Sequence, residues 1–223
     1  MAMPYRRTEN VVLRLAAREH AILDAATALA AEGGMGAVQI AAVAERAGIA
    51  AGTVYRYFPS KTDLVAALIE TRGERELAAM RVAADAAPGP LSALAACIAA
   101  FATRALQARR LIWALTGEPV EPEIDRLRGG FRSMLATEFA ARISAALAAR
   151  HLPEQDANLA ASAVLGALTE GLIGSLAVPR FDDVAARDAV QNATLLALRA
   201  LGVVDARARG LVAQCALPVK QAS

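Results

Sequence analysis

Cysteine, histidine, lysine and aromatic residues are all scarce in this chain of 223 residues, and the scarcity of cysteine, histidine and aromatics narrows the classes of protein open to it. The two cysteines, Cys97 and Cys215, are far apart and each sits in an apolar stretch, which points to buried thiols in a reducing compartment and not to a disulfide framework. Two isolated histidines, His20 and His151, with no glycine loop able to cradle a phosphate, leave nothing from which to assemble an active site, so no catalytic residue, no metal and no cofactor is expected. His20 reads as a surface or packing residue and His151 as a helix-end charge partner. Aromatics make up 4% of a chain that is 56% hydrophobic and rich in Ala and Leu. Both are strong helix formers with little demand for strand geometry, so an all-α fold is expected. Charge of one sign is missing too. Net charge is +2, and residues 1–61 carry seven Lys and Arg against five Asp and Glu, so no basic field advertises nucleic acid. Lys61 and Lys220 are the only lysines.

Targeting signals are also lacking. Met1-Ala2-Met3-Pro4-Tyr5-Arg6-Arg7 leads into polar residues and not an apolar core, which speaks against a secretory signal and for a cytoplasmic protein. The longest apolar run, Leu159 to Val178, has the length of a bilayer span. Glu170 sits in its middle, at a cost of roughly 2.5–3.5 kcal/mol in a membrane, so the run reads as a buried helix with no membrane partner. A membrane-associated helical scaffold is the contrary reading.

What is present is helical periodicity with clear punctuation. Leu15, Ile22, Ala25, Ala26 and Leu29 fall on one face of a helix predicted from Val12 to Glu32 and ended by Gly33-Gly34. A short helix over 39–47 buries Ile40, Val43 and Ala44, and Gly48 supplies the turn. The next spans 51–57 with Val54 and Phe58 inward, and Pro59 stops it. Ser60 caps a fourth helix reaching Ala84, with Asp63 placed for a capping box. Beyond Pro88-Gly89-Pro90, helices are predicted near 91–107, 108–117, 122–151, 155–178 and 183–201, and the tail after Gly202 is unassigned.

Two short helices joined at Gly48-Ile49-Ala50 make residues 39–58 a helix-turn-helix, whose second helix would lie in the DNA major groove. Gly52 would let backbone approach DNA; Tyr55 and Tyr57 offer hydroxyls to phosphates, and Arg56 a fork to guanine O6 and N7. Lys61 adds an ammonium to the positive end of a helix dipole.

This stretch resembles the TetR family of transcription regulators. The likeness begins at Ile22-Leu23-Asp24-Ala25-Ala26, passes through Ile40-Ala41 and Ala47-Gly48-Ile49, and closes with Gly52-Thr53-Val54-Tyr55-Arg56-Tyr57-Phe58 and Ser60-Lys61-Thr62-Asp63-Leu64. It implies a homodimer on a palindromic double-stranded operator, released when a small-molecule effector enters the C-terminal half. By position, Tyr55, Tyr57 and Lys61 would meet phosphates, while Ala51, Gly52, Thr53 and Arg56 would lie against bases; Gln39 completes the expected DNA-binding set. Ala50 departs from the family's capping Ser or Thr, and Ala51 from a frequently polar reader. The domains expected are a DNA-binding one over 15–75 and a ligand-binding, dimerising one over 76–223. A repressor is expected, with an activator of the same fold as the alternative.

In the second half, Phe101, Arg104, Trp113, Phe131, Met134 and Phe139 are expected to converge on an apolar effector pocket. Arg109 and Arg110 are further candidates for an anionic effector. Rows of small residues, Ala163, Gly166, Ala167, Gly171 and Gly174 on one helix and Ala189, Ala193 and Ala197 on the next, are expected to form the dimer interface, the alternative being close packing within one chain. The acidic run 118–125 reads as a loop leading into a helix begun by Pro122.

Overall fold

The computed structural model describes residues 4–178 and 182–215, with side chains from residue 11 onward; Met1, Lys220 and the end of the tail lie outside these. The expectation of an all-α fold holds, with every described element helical. The order is α1 (Pro4–Gly33), a 3-10 turn (Met35–Ala37), α2 (Ile40–Arg46), α3 (Ala51–Tyr57), α4 (Lys61–Asp85), α5 (Pro90–Gln107), α6 (Arg109–Thr116), α7 (Pro122–Ala148), α8 (Ala157–Leu172), α9 (Asp183–Ala200) and α10 (Asp205–Gln214).

The N-terminal head forms where α1, α2 and α3 close over Ile22, Ala26, Val43, Val54 and Phe58, all buried. Burying Val54 and Phe58 contributes about 1.5–3 kcal/mol each, enough to fix how α3 is presented. The turn between α2 and α3 is a Schellman closure: the Gly48 amide donates to Glu45 O at 3.1 Å and the Ile49 amide to Ala44 O at 2.9 Å. Gly48 takes φ +64°, which glycine alone adopts without strain. Leu15 departs from its expected core position and is exposed, because α1 runs on past the head's core toward its N-terminus.

Helix α4 joins head to body. Ser60 caps it, its Oγ accepting from the Asp63 amide at 3.1 Å and donating to Asp63 Oδ2 at 2.7 Å. At 25 residues it is about 37 Å long, and the boundary expected between residues 75 and 76 falls inside it. Its first turns bury Leu64, Val65 and Leu68, and its last turns bury Met80 and Ala84 against α5 and α7. Gly73 admits α7 closely, since a Cβ there would meet Phe131 and Met134 at 3.0 Å.

Helix α5 is the centre of the body, with Leu91, Leu94, Ile98, Phe101, Ala102 and Ala105 buried. It is long and apolar enough to cross a membrane, and more than half of it is buried among α4, α7 and α9. Leu159–Val178 is not one helix: α8 ends at Leu172, where the amides of Ile173 and Gly174 both donate to Thr169 O. The Glu170 carboxylate then takes the Ser175 hydroxyl at 2.9 Å and the Leu176 amide at 3.0 Å. Helix α7 likewise stops three residues short of its expected end, with Arg150 at φ +56°.

Head and body are tied at one further point. Glu118 Oε2 accepts from the Met35 amide at 2.8 Å, while Arg110 Nη2 donates to Gly33 O at 3.0 Å and to Glu118 Oε1 at 2.8 Å. The acidic run therefore places one carboxylate against the head, beside Gly34 at φ +77°. Glu123 and Asp125 stand in the first turn of α7, at the helix end that favours negative charge.

Candidate nucleic-acid interface

Helix α3 turns Val54 and Phe58 inward, which leaves Ala51, Gly52, Tyr55 and Arg56 exposed and Thr53 and Tyr57 half-buried. A Cβ added at Gly52 would meet nothing within 4 Å, so the protein's own packing does not call for glycine there. The bare backbone is left for something outside. The Arg56 guanidinium lies 5.8 Å from the centre of the Tyr57 ring, a cation–π contact that steadies a side chain that remains exposed. Lys61 is the first residue of α4, half-buried at the positive end of the helix dipole. Gln39 stands at the N-cap position of α2 without a side-chain cap, its side-chain amide donating back to Gly36 O at 2.9 Å. Ala50 provides no side-chain cap for α3; its carbonyl accepts from the Thr53 amide at 2.8 Å instead.

Sequence reasoning missed two basic residues. Arg14 and Arg18, one turn apart on α1, line a shallow depression of about 310 Å³ together with Thr53, Arg56 and Tyr57. Their spacing marks a shared helix face, but only the crossing of α1 over α3 puts that face beside the reading helix. The bidentate pair of Arg46 with Glu32, at 2.5 and 2.7 Å, braces α2 against α1.

Among the described cavities, none is lined by Phe101, Phe131, Met134 or Phe139, and Arg104 and Trp113 line different ones. Phe101, Phe131 and Phe139 are buried core, Phe101 and Phe139 meeting edge to face with ring centres 5.9 Å apart. Met134 packs into the α4–α7 seam. Trp113 borders a separate cavity of about 640 Å³ with Arg132, Ser133, Ser162 and Glu170. Arg104 faces α4 and another cavity altogether. Aromatic rings satisfied by one another have no space left to offer a ligand.

Of the small-residue rows, Ala163, Gly166, Ala167 and Gly171 are exposed and Ala193 is half-buried. Gly174, Ala189 and Ala197 are buried, Gly174 beneath the Glu170 carboxylate, while Ala189 lies at the floor of the groove between α8 and α9. Leu159, Leu176, Val178, Val184 and Leu196 stand exposed by more than 60% each, and Val178 and Leu196 line a groove of about 490 Å³ between α8 and α9 together with Ala167 and Gly171.

Cys97 is buried, and desolvation pushes its thiol up to about 12. Cys215 is half-buried and also raised by burial; neither forms a disulfide.

A three-helix head presenting the second member of a helix-turn-helix, set on a body of further helices, defines a helix-turn-helix regulator architecture. Residues 22–68 match the family described as bacterial regulatory proteins, tetR family. The repressor KstR of Rhodococcus jostii (strain RHA1) is 55% identical over 58 residues, 26% of this chain and 27% of the relative; KstR of Mycolicibacterium smegmatis is 53% identical over 58 residues, 26% and 28%. The head over residues 22–68 is thus similar to the DNA-binding part of tetR-family regulators, and the match spans about a quarter of the length of these curated relatives. Beyond the head the likeness is one of fold. RolR in complex with resorcinol superposes at a TM-score of 0.66 with 21% identity, covering 95% of this chain and 100% of that one. FadR from Bacillus subtilis in complex with stearoyl-CoA gives 0.67 with 19% identity over 83% and 98%.

Proposed function

We propose that this protein is a transcription regulator, a repressor that sits as a homodimer on a palindromic operator and leaves it when a small effector enters the helical body. The observation that carries the reading is the outer face of α3, where an unobstructed glycine, two tyrosines and a steadied arginine lie beside Arg14 and Arg18 of α1. Two of the relatives, each matched over 58 residues, are named as transcriptional repressors. Phosphate contacts fall to Tyr55, Tyr57, Lys61, Arg14 and Arg18; base edges fall to Arg56 and Thr53, with Gly52 and Ala51 allowing close approach and Gln39 flanking the groove. A DNA reader of this kind works in the cytoplasm. Residues 15–75 act as the reading domain and 76–223 as the effector and dimer domain, with α4 continuous between them. Dimerisation is assigned to the exposed α8–α9 face, because large apolar side chains around Gly166 and Gly171 gain burial only against a second copy.

Fluorescence anisotropy with duplexes taken from the DNA flanking the gene tests the proposal. Binding at about 10 nM or tighter, falling steeply with added salt, is expected. Failure of every flanking duplex to outcompete random DNA would overturn it.

A further inference from the structure

A cavity of about 490 Å³ lies between the second half of α4, the outer strip of α5 and the end of α10, a size suited to a small organic ligand. Its length follows from α5, which lines it from Ser92 to Gln107, fifteen residues or about 22 Å of helix. Its width follows from the side chains: Ala79 and Ala83 on α4, with Ala87 just beyond its end, lie across from Ala96, Ala99 and Ala100 on α5, so small side chains line its middle, with Ser92 at one end and Thr103 and Gln107 toward the other. No aromatic ring is among the described lining residues, which leaves nothing to stack on a planar ligand.

One end is cationic. Arg104 lines the cavity there and donates through Nε to Glu76 Oε2 at 2.5 Å and through Nη2 to Glu76 Oε1 at 2.9 Å. Glu76 is 2% exposed and is also held by Arg72 Nη2 at 3.1 Å, so one buried carboxylate answers two guanidinium groups. Arg75 adds positive charge near Arg72, and Asp24 of α1 offsets it. Arg72 Nε is buried with no hydrogen-bond partner among the described residues. The cluster thus keeps an excess of positive charge at the mouth of a long apolar slot, the complement of an anionic head on an aliphatic chain.

We propose that this cavity binds a linear aliphatic monocarboxylate, its chain along the alanine strip and its carboxylate on Arg104, and that α4 senses occupancy through Arg104, Glu76 and Arg72. The binding half of this proposal stands on the cavity alone, and the release of DNA rests on the regulator reading. A carboxylate on Arg104 competes with Glu76, which shifts Glu76 toward Arg72 one turn nearer the head.

Calorimetric titration with decanoate, decanol and decyltrimethylammonium, on the full chain, tests the site. Decanoate is expected to saturate one site per chain and to bind about tenfold or more tightly than decanol, with the cationic chain not binding. Ala100→Phe should fill the slot and abolish binding while the thermal melt stays cooperative, and Arg104→Gln should erase the advantage of decanoate over decanol. Decanoate should also slow iodoacetamide alkylation of Cys215, which lines the cavity, without altering the buried Cys97. Equal affinity for decanoate and decanol, or unchanged binding by Ala100→Phe, overturns the assignment. Ligand-free protein that binds its duplex but shows no decanoate site overturns this inference and leaves the regulator reading intact; a decanoate site in a protein that binds no duplex does the reverse.

Discussion

Arg56 and Lys61 lie a few residues apart on the reading head and are assigned different work. Arg56 stands exposed on the outer face of α3, whereas Lys61 sits at the N-terminus of α4, where only a phosphate is complementary to both its ammonium and the helix dipole. Lys61→Ala is therefore expected to weaken specific and random duplexes alike and to lower the salt slope by about one. Arg14→Ala and Arg18→Ala should behave as Lys61→Ala does. Arg56→Ala should cost roughly 1–3 kcal/mol on the operator, little on random DNA, and relax preference at one base pair in each half-site. Anisotropy across several salt concentrations separates the two patterns; a uniform loss for Arg56→Ala on all sequences would make it another phosphate contact. Residues on α3 were legible in the sequence because their spacing and the turn at Gly48 are local. Arg14 and Arg18 were not, because their place beside Thr53 and Tyr57 depends on how two helices cross.

Helix ends were legible where side chains or prolines mark them and obscure where the backbone decides. Ser60, Pro90 and Pro122 lie at or beside the starts of α4, α5 and α7 as expected. The end of α8 was missed because its apolar run continues past Leu172 while Glu170 folds back on Ser175 and Leu176. Helix α10 went unread because it buries only Ala208 and Val212 and carries Gly210 within it, too sparse a pattern to mark a face. The expected aromatic pocket shows the same limit of spacing: it tells that Phe101, Phe131 and Phe139 turn inward, but not that they are buried in the core with Phe101 and Phe139 packed edge to face. At the seam between α4 and α7, burial raises the Glu138 carboxyl, but hydrogen bonds from Arg81 and Arg142, both at 2.8 Å, more than reverse this and hold it below its ordinary value. Such a depressed carboxylate stabilises the fold above its unfolded value near 4.5, and the contribution is lost as pH falls through the lower folded value. Glu138→Gln should thus destabilise by about 1–3 kcal/mol at pH 7, with the gap from wild type closing in acid. Urea unfolding from pH 7 to pH 3 measures it, and a gap that stays constant with pH would contradict the role given to this pair.

Across the whole molecule, the head is carried rigidly on α4 and latched to α6 through Glu118 and Arg110, so a shift in the body has two routes to the reading surface. In the proposed homodimer, the α8–α9 face would set the distance between two heads. Gly171 is exposed with nothing within 4 Å of an added Cβ, so the backbone tolerates a side chain there, and Gly171→Leu puts bulk into the groove that the second copy is proposed to cover. It should yield a folded monomer by light scattering, with operator binding weakened and non-specific binding retained; a dimer that persists would move the interface elsewhere. The central claim is that two copies read one face of the duplex through α3, and selection of bound sequences from a random duplex pool tests it most directly. The account predicts enrichment of a palindrome whose half-site centres lie about one helical turn apart or somewhat more, lost when Arg56→Ala protein replaces wild type. No enrichment, or enrichment of single unpaired half-sites, would contradict it.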